Sequence, residues 1–349
     1  MLTPGKWLAT GNFWDGFFNP TFWPSFVFRS CISVMLAGLY VLLIASRFLP
    51  AEFKIRMVRG AAWWGITGLA GSLLSLSWYW RWIPVTITAT ALQTMPLPIK
   101  ALELSYWFAG AIAALLLVFG LAFPRRQHIC VAMITMAMGL GWFGSFEWFR
   151  ESVRKPYVIV DYMYGNGVEV GRTEVYKQNG YLSQLAFRSG DDGADLFGHA
   201  CRSCHTIQGY LPLKPAFDGT DRAFISAIIK SAHLLRGNMP PFLGTAGEAD
   251  AIAGYLEVRM DRRPIAAIYG LPGVDLGKKV FDVRCGKCHP IGSTGDKMRT
   301  LAGLAEENYQ ALLDNASEIG AGMPAVTCSE SERRALIEYF KTLRVGGGK

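Results

Sequence analysis

Histidine is scarce in this chain, with five in 349 residues, and only His128 precedes residue 190. Charge is sparse as well, at 18% Asp, Glu, Lys and Arg. Residues 1–190 hold 16 Lys+Arg against 8 Asp+Glu, a net +8, whereas residues 191–349 hold 19 of each. The positive charge therefore accompanies the apolar half and its loops, and a basic face for nucleic acid is excluded as its explanation. There are seven cysteines. Four of them sit in two tight clusters and Cys31, Cys130 and Cys328 are scattered, which excludes a disulfide framework. Cys31 and Cys130 lie in or near apolar stretches and read as buried free thiols. The start of the chain offers Lys6 as its one basic residue ahead of an apolar run too long for a signal-peptide core, so no cleavable leader is expected. What the chain has in abundance is apolar side chains, at 51% with a mean hydropathy of +0.23.

The two cysteine clusters are Cys201-Arg202-Ser203-Cys204-His205 and Cys285-Gly286-Lys287-Cys288-His289. Cys-x-x-Cys-His is the signature of covalent c-type haem attachment. Two thiols reach the two vinyl groups along one porphyrin edge, and the next residue places an imidazole under the iron. The second pentad follows the first by 84 residues, and so does Met323-Pro324 follow Met239-Pro240. Phe197 and Phe281, Gly219 and Gly303, and Tyr255 and Tyr339 recur at the same offset. A fixed period of this kind marks a duplicated unit. Each copy supplies a thiol pair, a His and a candidate distal Met. His/Met ligation raises the haem potential and leaves the iron closed, which suits an electron carrier. A zinc site or redox dithiol is the competing reading of one Cys-x-x-Cys. Structural zinc wants its two pairs about 15–20 residues apart, however, and the pairs here are far apart with His directly after each.

On these residues, segments 190–260 and 275–345 each resemble a class I cytochrome c domain. The resemblance implies a few helices around one haem, with His205 and Met239 as iron ligands in the first copy and His289 and Met323 in the second. It also implies two covalently attached haem c groups, with thioether bonds to Cys201 and Cys204 and to Cys285 and Cys288. Leu211-Pro212 or Lys214-Pro215 resembles the family's proline, whose carbonyl steadies the proximal His. The second copy has no proline between Pro290 and Pro324. The tandem arrangement is also similar to the dihaem subunit of cbb3-type oxidases, although four spans exceed what that anchor needs.

Four apolar stretches are long enough to span a bilayer, which takes about 20 residues. They run from about Phe22 to Phe48, Gly60 to Tyr79, Leu102 to Phe123 and Ile129 to Phe149. Trp63, Trp64, Trp78, Trp80, Trp82, Trp107, Trp142 and Trp148 fall toward the span ends, as aromatic belts do. The stretch from Pro84 to Pro98 and the segment from Thr10 to Trp23 read as interfacial. Arg47, Lys54, Arg56 and Arg59 follow the first span, and Arg125 and Arg126 follow the third, so these loops are expected inside. The N-terminus and the haem domains then lie outside, where c-type haem is attached in bacteria. Asp15 to Ser30, with its Asn19-Pro20, and the Phe146-Glu147-Trp148-Phe149-Arg150 stretch resemble parts of subunit I of cytochrome bd-type quinol oxidases. Where that family carries a haem-ligating His this chain has Arg29, so the family's oxygen chemistry is not carried over. Arg29, Glu103 and Glu147 are ionisable groups in or beside spans. They read either as a quinone or proton site or as side chains that snorkel to the interface or form a structural ion pair with a partner subunit.

The expected organisation is all-α: a four-helix transmembrane region followed by two small helical cytochrome c domains. Residues 1–150 form the membrane domain, 151–190 a periplasmic linker, and 191–262 and 263–349 the two haem domains. Within the linker, Tyr157 to Asp161 reads as a short strand and Gly165-Asn166-Gly167 as a turn. Asp221 to Ala232 and Glu306 to Ser317 read as amphipathic helices on the haem faces. His233 competes with Met239, and Met298 with Met323, as distal ligand; His199 reads as exposed or beside a propionate. Cys328 is assigned no role. The expected function is a multi-pass protein of the bacterial inner membrane relaying electrons between a membrane respiratory partner and a periplasmic cytochrome. Its expected partners are other membrane subunits, a soluble or membrane cytochrome, the lipid bilayer and, as a candidate, a quinone, with no nucleic acid. The alternatives are a quinol dehydrogenase subunit with its own quinone site, and a haem sensor or peroxidase with an open iron. Intact-mass spectrometry of the purified chain is expected to show two added haem groups, and a bare polypeptide mass would overturn the reading.

Overall fold

A computed structural model describes residues 2–85, 96–235, 237–289, 291, 301, 303–319 and 323–343. Met298, Pro290, Gly320-Ala321-Gly322 and most of the Pro84–Pro98 stretch lie outside these residues. The chain forms two compact units, Met1–Val170 and Gly171–Lys349. Residues 171–190, read from sequence as linker, belong to the second unit.

The first unit is helical. Two short helices, α1 (Trp7–Thr10) and α2 (Phe13–Phe17), precede the long α3 (Phe22–Phe48) and α4 (Ala51–Arg81). Next comes α5 (Pro96–Leu115), which runs on as a π-helical turn over Leu116–Ala122, and then α6 (Ile129–Arg154). Helix α3 lies along α4, and α6 packs on both α3 and α5. Their shared core includes Phe28, Ile32, Met35 and Leu39 of α3, Ala62 and Leu69 of α4, and Trp142 and Phe146 of α6. Small residues let the backbones close up, as helix pairs in lipid require. A Cβ on Gly68 of α4 would stand 2.4 Å from the Met35 nitrogen of α3.

Among the described residues, three helices are long and apolar enough to cross a membrane: Phe22–Phe48, Ile99–Ala122 and Ile129–Arg154. These correspond to the first, third and fourth expected spans. Helix α4 covers the second and is longer still, but repeated Gly, Ser and Trp dilute its apolar residues. Length and apolarity thus give three spans where the sequence reading expects four. Most of the belt tryptophans are exposed, Trp107 at 79% among them. Trp142 departs from that expectation: it is wholly buried against Phe28, because the inner face of α6 needs a large side chain there. Of the thiols expected to be buried, Cys31 is partly covered and packs on Gly71, while Cys130 is exposed on the outer face of its helix.

Asn19 holds the entry to the bundle by donating to Thr3 O and accepting from the Thr21 amide and hydroxyl. After α6 a small antiparallel ribbon pairs β1 (Tyr157–Ile159) with β2 (Met163–Tyr164). This interrupts an otherwise all-α chain where a strand was expected. The Gly165–Gly167 turn closes with Gly167 N donating to Tyr164 O.

The second unit opens with α7 (Thr173–Asn179). The first copy then consists of α8 (Asp192–Ala200), α9 (Lys214–Phe217), α10 (Arg222–Leu235) and α11 (Ala246–Glu257). The second copy consists of α12 (Ile265–Tyr269), α13 (Gly273–Arg284), α14 (Glu306–Asp314), α15 (Ala316–Ile319) and α16 (Glu330–Thr342). Their caps explain the boundaries. Asp191 caps α8 by accepting from the Ala194 amide. Asp221 accepts from the Phe224 amide at the start of α10. Thr245 with Glu248 and Ser329 with Glu332 form reciprocal capping boxes at the starts of α11 and α16.

The two copies agree in their packing. Helix α8 crosses α11 at Gly193, where an added Cβ would lie 2.7 Å from Ala251 O; α13 crosses α16 at Gly277, where it would lie 1.9 Å from Ala335 O. Phe197 stacks on Tyr255 at 5.4 Å, and Phe281 meets Tyr339 at 5.5 Å. The buried Glu248 carboxylate accepts from the Tyr181 and Leu182 amides, and Glu332 from the Ala266 amide. Each copy is therefore tied to the segment that precedes it. Gly277→Ala is expected to lower the thermal midpoint, costing about 1–3 kcal/mol of overpacking, with scanning calorimetry as the measurement.

Candidate haem-attachment sites

Each pentad forms the turn that ends the first long helix of its copy. The amides of Cys201 and Arg202 both donate to Phe197 O, at 3.0 and 2.9 Å; those of Cys285 and Gly286 both donate to Phe281 O, at 2.7 Å. The Cys204 and His205 amides return to Cys201 O, and the Cys288 and His289 amides to Cys285 O. One carbonyl taking two amides closes the helix and wraps the next residues into a tight loop. That loop holds both thiols and the imidazole together.

His205 Nδ1 lies 3.0 Å from Leu211 O. If that bond carries the ring proton, Nε2 is left with its lone pair for a metal, as an orienting contact to a ligating His does. The carbonyl belongs to Leu211, the residue before Pro212, and not to a proline as the family pattern suggested. Leu211 has a φ of 43°, in the left-handed region, and this turns its carbonyl back toward the pentad.

Burial pushes the Cys201 and Cys285 thiols up to about 12 and raises Cys288 as well. Reactive or metal-binding cysteines need the opposite shift. Among the described residues no group of three or more His, Cys, Asp or Glu is arranged to hold a bare ion, whereas structural zinc wants four ligands.

Two further histidines carry buried nitrogens without a protein partner: His199 Nε2 and His233 Nδ1. Buried polar atoms ordinarily find one. With the paired thiols and the oriented His205, these orphaned atoms fit a first copy shaped around a group larger than an ion. His199 is not exposed as one reading had it. It sits half-buried between Tyr176 and Tyr181, at ring distances of 6.4 and 5.4 Å, and burial lowers its pKa. Met239 and Met323 are partly buried in irregular chain beyond α10 and α15, and each precedes a proline, Pro240 and Pro324.

In the first unit, Glu147 is held on both oxygens. Arg29 reaches Oε1 at 2.8 Å and Arg150 reaches Oε2 at 2.7 Å, and Arg29 also donates to Ser25. The ion pair lies within the chain, where it ties α3 to α6, and not with a partner subunit as one reading had it. Glu103 lies exposed on α5 near Tyr106 and Trp107. Sequence reasoning had named Leu211 only as the residue before a candidate proline, and had not singled out Glu248 or Glu332. The two glutamates were recoverable from Thr245-x-x-Glu248 and Ser329-x-x-Glu332, but a carbonyl carries no residue signal.

The family model described as cytochrome C oxidase, cbb3-type, subunit III matches residues 188–256 and 272–340. No match to the chain was found among curated proteins or among solved structures. The two matched segments are tandem cytochrome c domains, which imply covalently bound haem c and a haem-based role in electron transfer. With three apolar helices of spanning length, they mark a membrane-anchored protein. The likeness of the first half to the bd-type subunit gains no support from these comparisons. Glu147→Gln is expected to lower the thermal midpoint in detergent by leaving two arginines underpaired, with the haem absorbance unchanged.

Proposed function

We propose that this chain is a membrane-anchored dihaem cytochrome c that relays electrons within a respiratory complex. The observation that carries this reading is the pentad turn built twice, in each case by two amides on one phenylalanine carbonyl, inside each matched cytochrome c segment. Cys201 and Cys204 hold one haem and Cys285 and Cys288 the other. His205 and His289 are the proximal ligands, and Met239 and Met323 the distal ones. Each haem, once bound, supplies a one-electron iron couple. The chain's own part is to bury and orient it, to close the iron with Met, and so to favour transfer over ligand chemistry.

In this reading α4 also crosses the membrane, as the second of four spans, since its ends carry Lys54, Arg56 and Arg59 at one side and Tyr79, Trp80 and Arg81 at the other. Basic loops after α3 and before α6 keep those ends inside. The haem domains then face the periplasm of a bacterial inner membrane. The donors and acceptors are other membrane subunits and a soluble or membrane cytochrome. The alternative, a quinol dehydrogenase subunit, loses one candidate proton acceptor, because both oxygens of Glu147 are engaged by arginine; it rests on Glu103.

The decisive experiment removes the distal ligands. Met239→Ala and Met323→Ala are each expected to abolish the low-spin spectrum of one haem, lower its midpoint potential and leave its covalent attachment intact. Optical redox titration follows all three. Unchanged spectra in both variants would instead indicate open iron and a sensor or peroxidase.

A further inference from the structure

The two pentads share a backbone but differ in the side chains set around it. Where the second copy has Arg284 and Lys287, the first has Ala200 and Ser203, and Ser203 is exposed. The haem-attachment turn itself therefore requires neither the arginine nor the lysine.

Both basic side chains end on the first copy. Lys287 Nζ donates to Ala216 O at 2.5 Å as well as to Val283 O of its own helix. Its ammonium lies 5.6 Å from the centre of the Phe217 ring and 5.4 Å from that of Phe224. Arg284 donates to Gly219 O at 2.6 Å and to Thr327 Oγ1 at 3.2 Å, and Thr327 donates in turn to Asp221. Three residues of the second copy thus converge on residues 216–224 of the first. A cation set between carbonyls and aromatic faces gains from both, and a backbone carbonyl fixes position more closely than a mobile carboxylate would. Beside this seam opens a cleft of about 400 Å³ lined by Thr220, Arg262, Arg284 and Cys328, and the polar contacts beside it join the two copies.

We propose that Lys287, with Arg284, is a positioning residue. It pins the turn bearing the second thiol pair directly onto the first domain, so that the separation of the two attachment turns is set by this seam and not by the connecting segment 262–272. This rests on the two-haem reading. Nothing is covalently changed: one electron leaves one iron and arrives at the other, and the fixed separation governs how fast.

The test uses the full-length chain with its haems, in detergent. In Lys287→Ala, hydrogen exchange of segment 214–221 is expected to quicken about tenfold, as loss of a bond to a charged group predicts. Electron exchange between the haems, followed after flash reduction, is expected to slow, and Lys287→Arg should restore both. Should Lys287→Ala fail to mature, Thr327→Val cuts the Arg284–Thr327–Asp221 chain at an exposed residue and should shift the same two measurements in the same direction. If either mature variant matches wild type in both, the proposal is overturned. A wild-type chain found by mass to lack two haems would instead remove the reading beneath it.

Discussion

The second unit depends on a helix crossing in which no side chain intervenes. Gly193 faces Ala251, and Gly277 faces Ala335, at distances that exclude even a methyl group. That closeness brings Phe197 onto Tyr255 and Phe281 against Tyr339. It thereby fixes where α8 and α13 end. The carbonyls of those same phenylalanines then take two amides each and fold the pentads into loops. Glycine, aromatic pair and thiol loop form one mechanical sequence, and the duplication preserved it as a block. The buried glutamates complete it, capping the second helix of each crossing and holding the chain that leads into the copy.

The first unit is held by a different balance. Its helices approach through glycine and bury aromatic side chains such as Phe28, Trp142 and Phe146. Its charge triad Arg29–Glu147–Arg150 spans two helices. Guanidinium groups on both oxygens of one carboxylate make a charge-assisted tie between the helices. The cytochrome c copies and the apolar bundle are thus built differently: one carries the haem-attachment motifs, the other supplies helices apolar enough to anchor the chain.

Much of the architecture was legible beforehand because its signals are local. The first span agrees with α3 at both ends, and the first haem helix begins beside the Asp191 cap. The amphipathic segment placed at 221–232 became Arg222–Leu235. The one placed at 306–317 breaks at Asn315, giving Glu306–Asp314 and Ala316–Ile319. Trp142 was misread because position near a span end does not say which face of the helix a residue occupies. The second span fell short because Gly, Ser and Trp pack well between helices while contributing little to hydropathy.

Sequence alone determined the haem-attachment motif: such a motif must place two thiols and an imidazole within five residues, and that spacing is visible without a fold. It also determined the duplication, since a period of fixed length is a property of the string. Tertiary structure decided what depends on residues far apart meeting. The carbonyl that orients His205 comes from Leu211 because a left-handed backbone turns it there. Glu147 is an ion-pair centre because α3 delivers Arg29 from 118 residues away. The two copies dock through Lys287 and Arg284 because their partners are backbone oxygens, which every residue possesses and no pattern of side chains can announce.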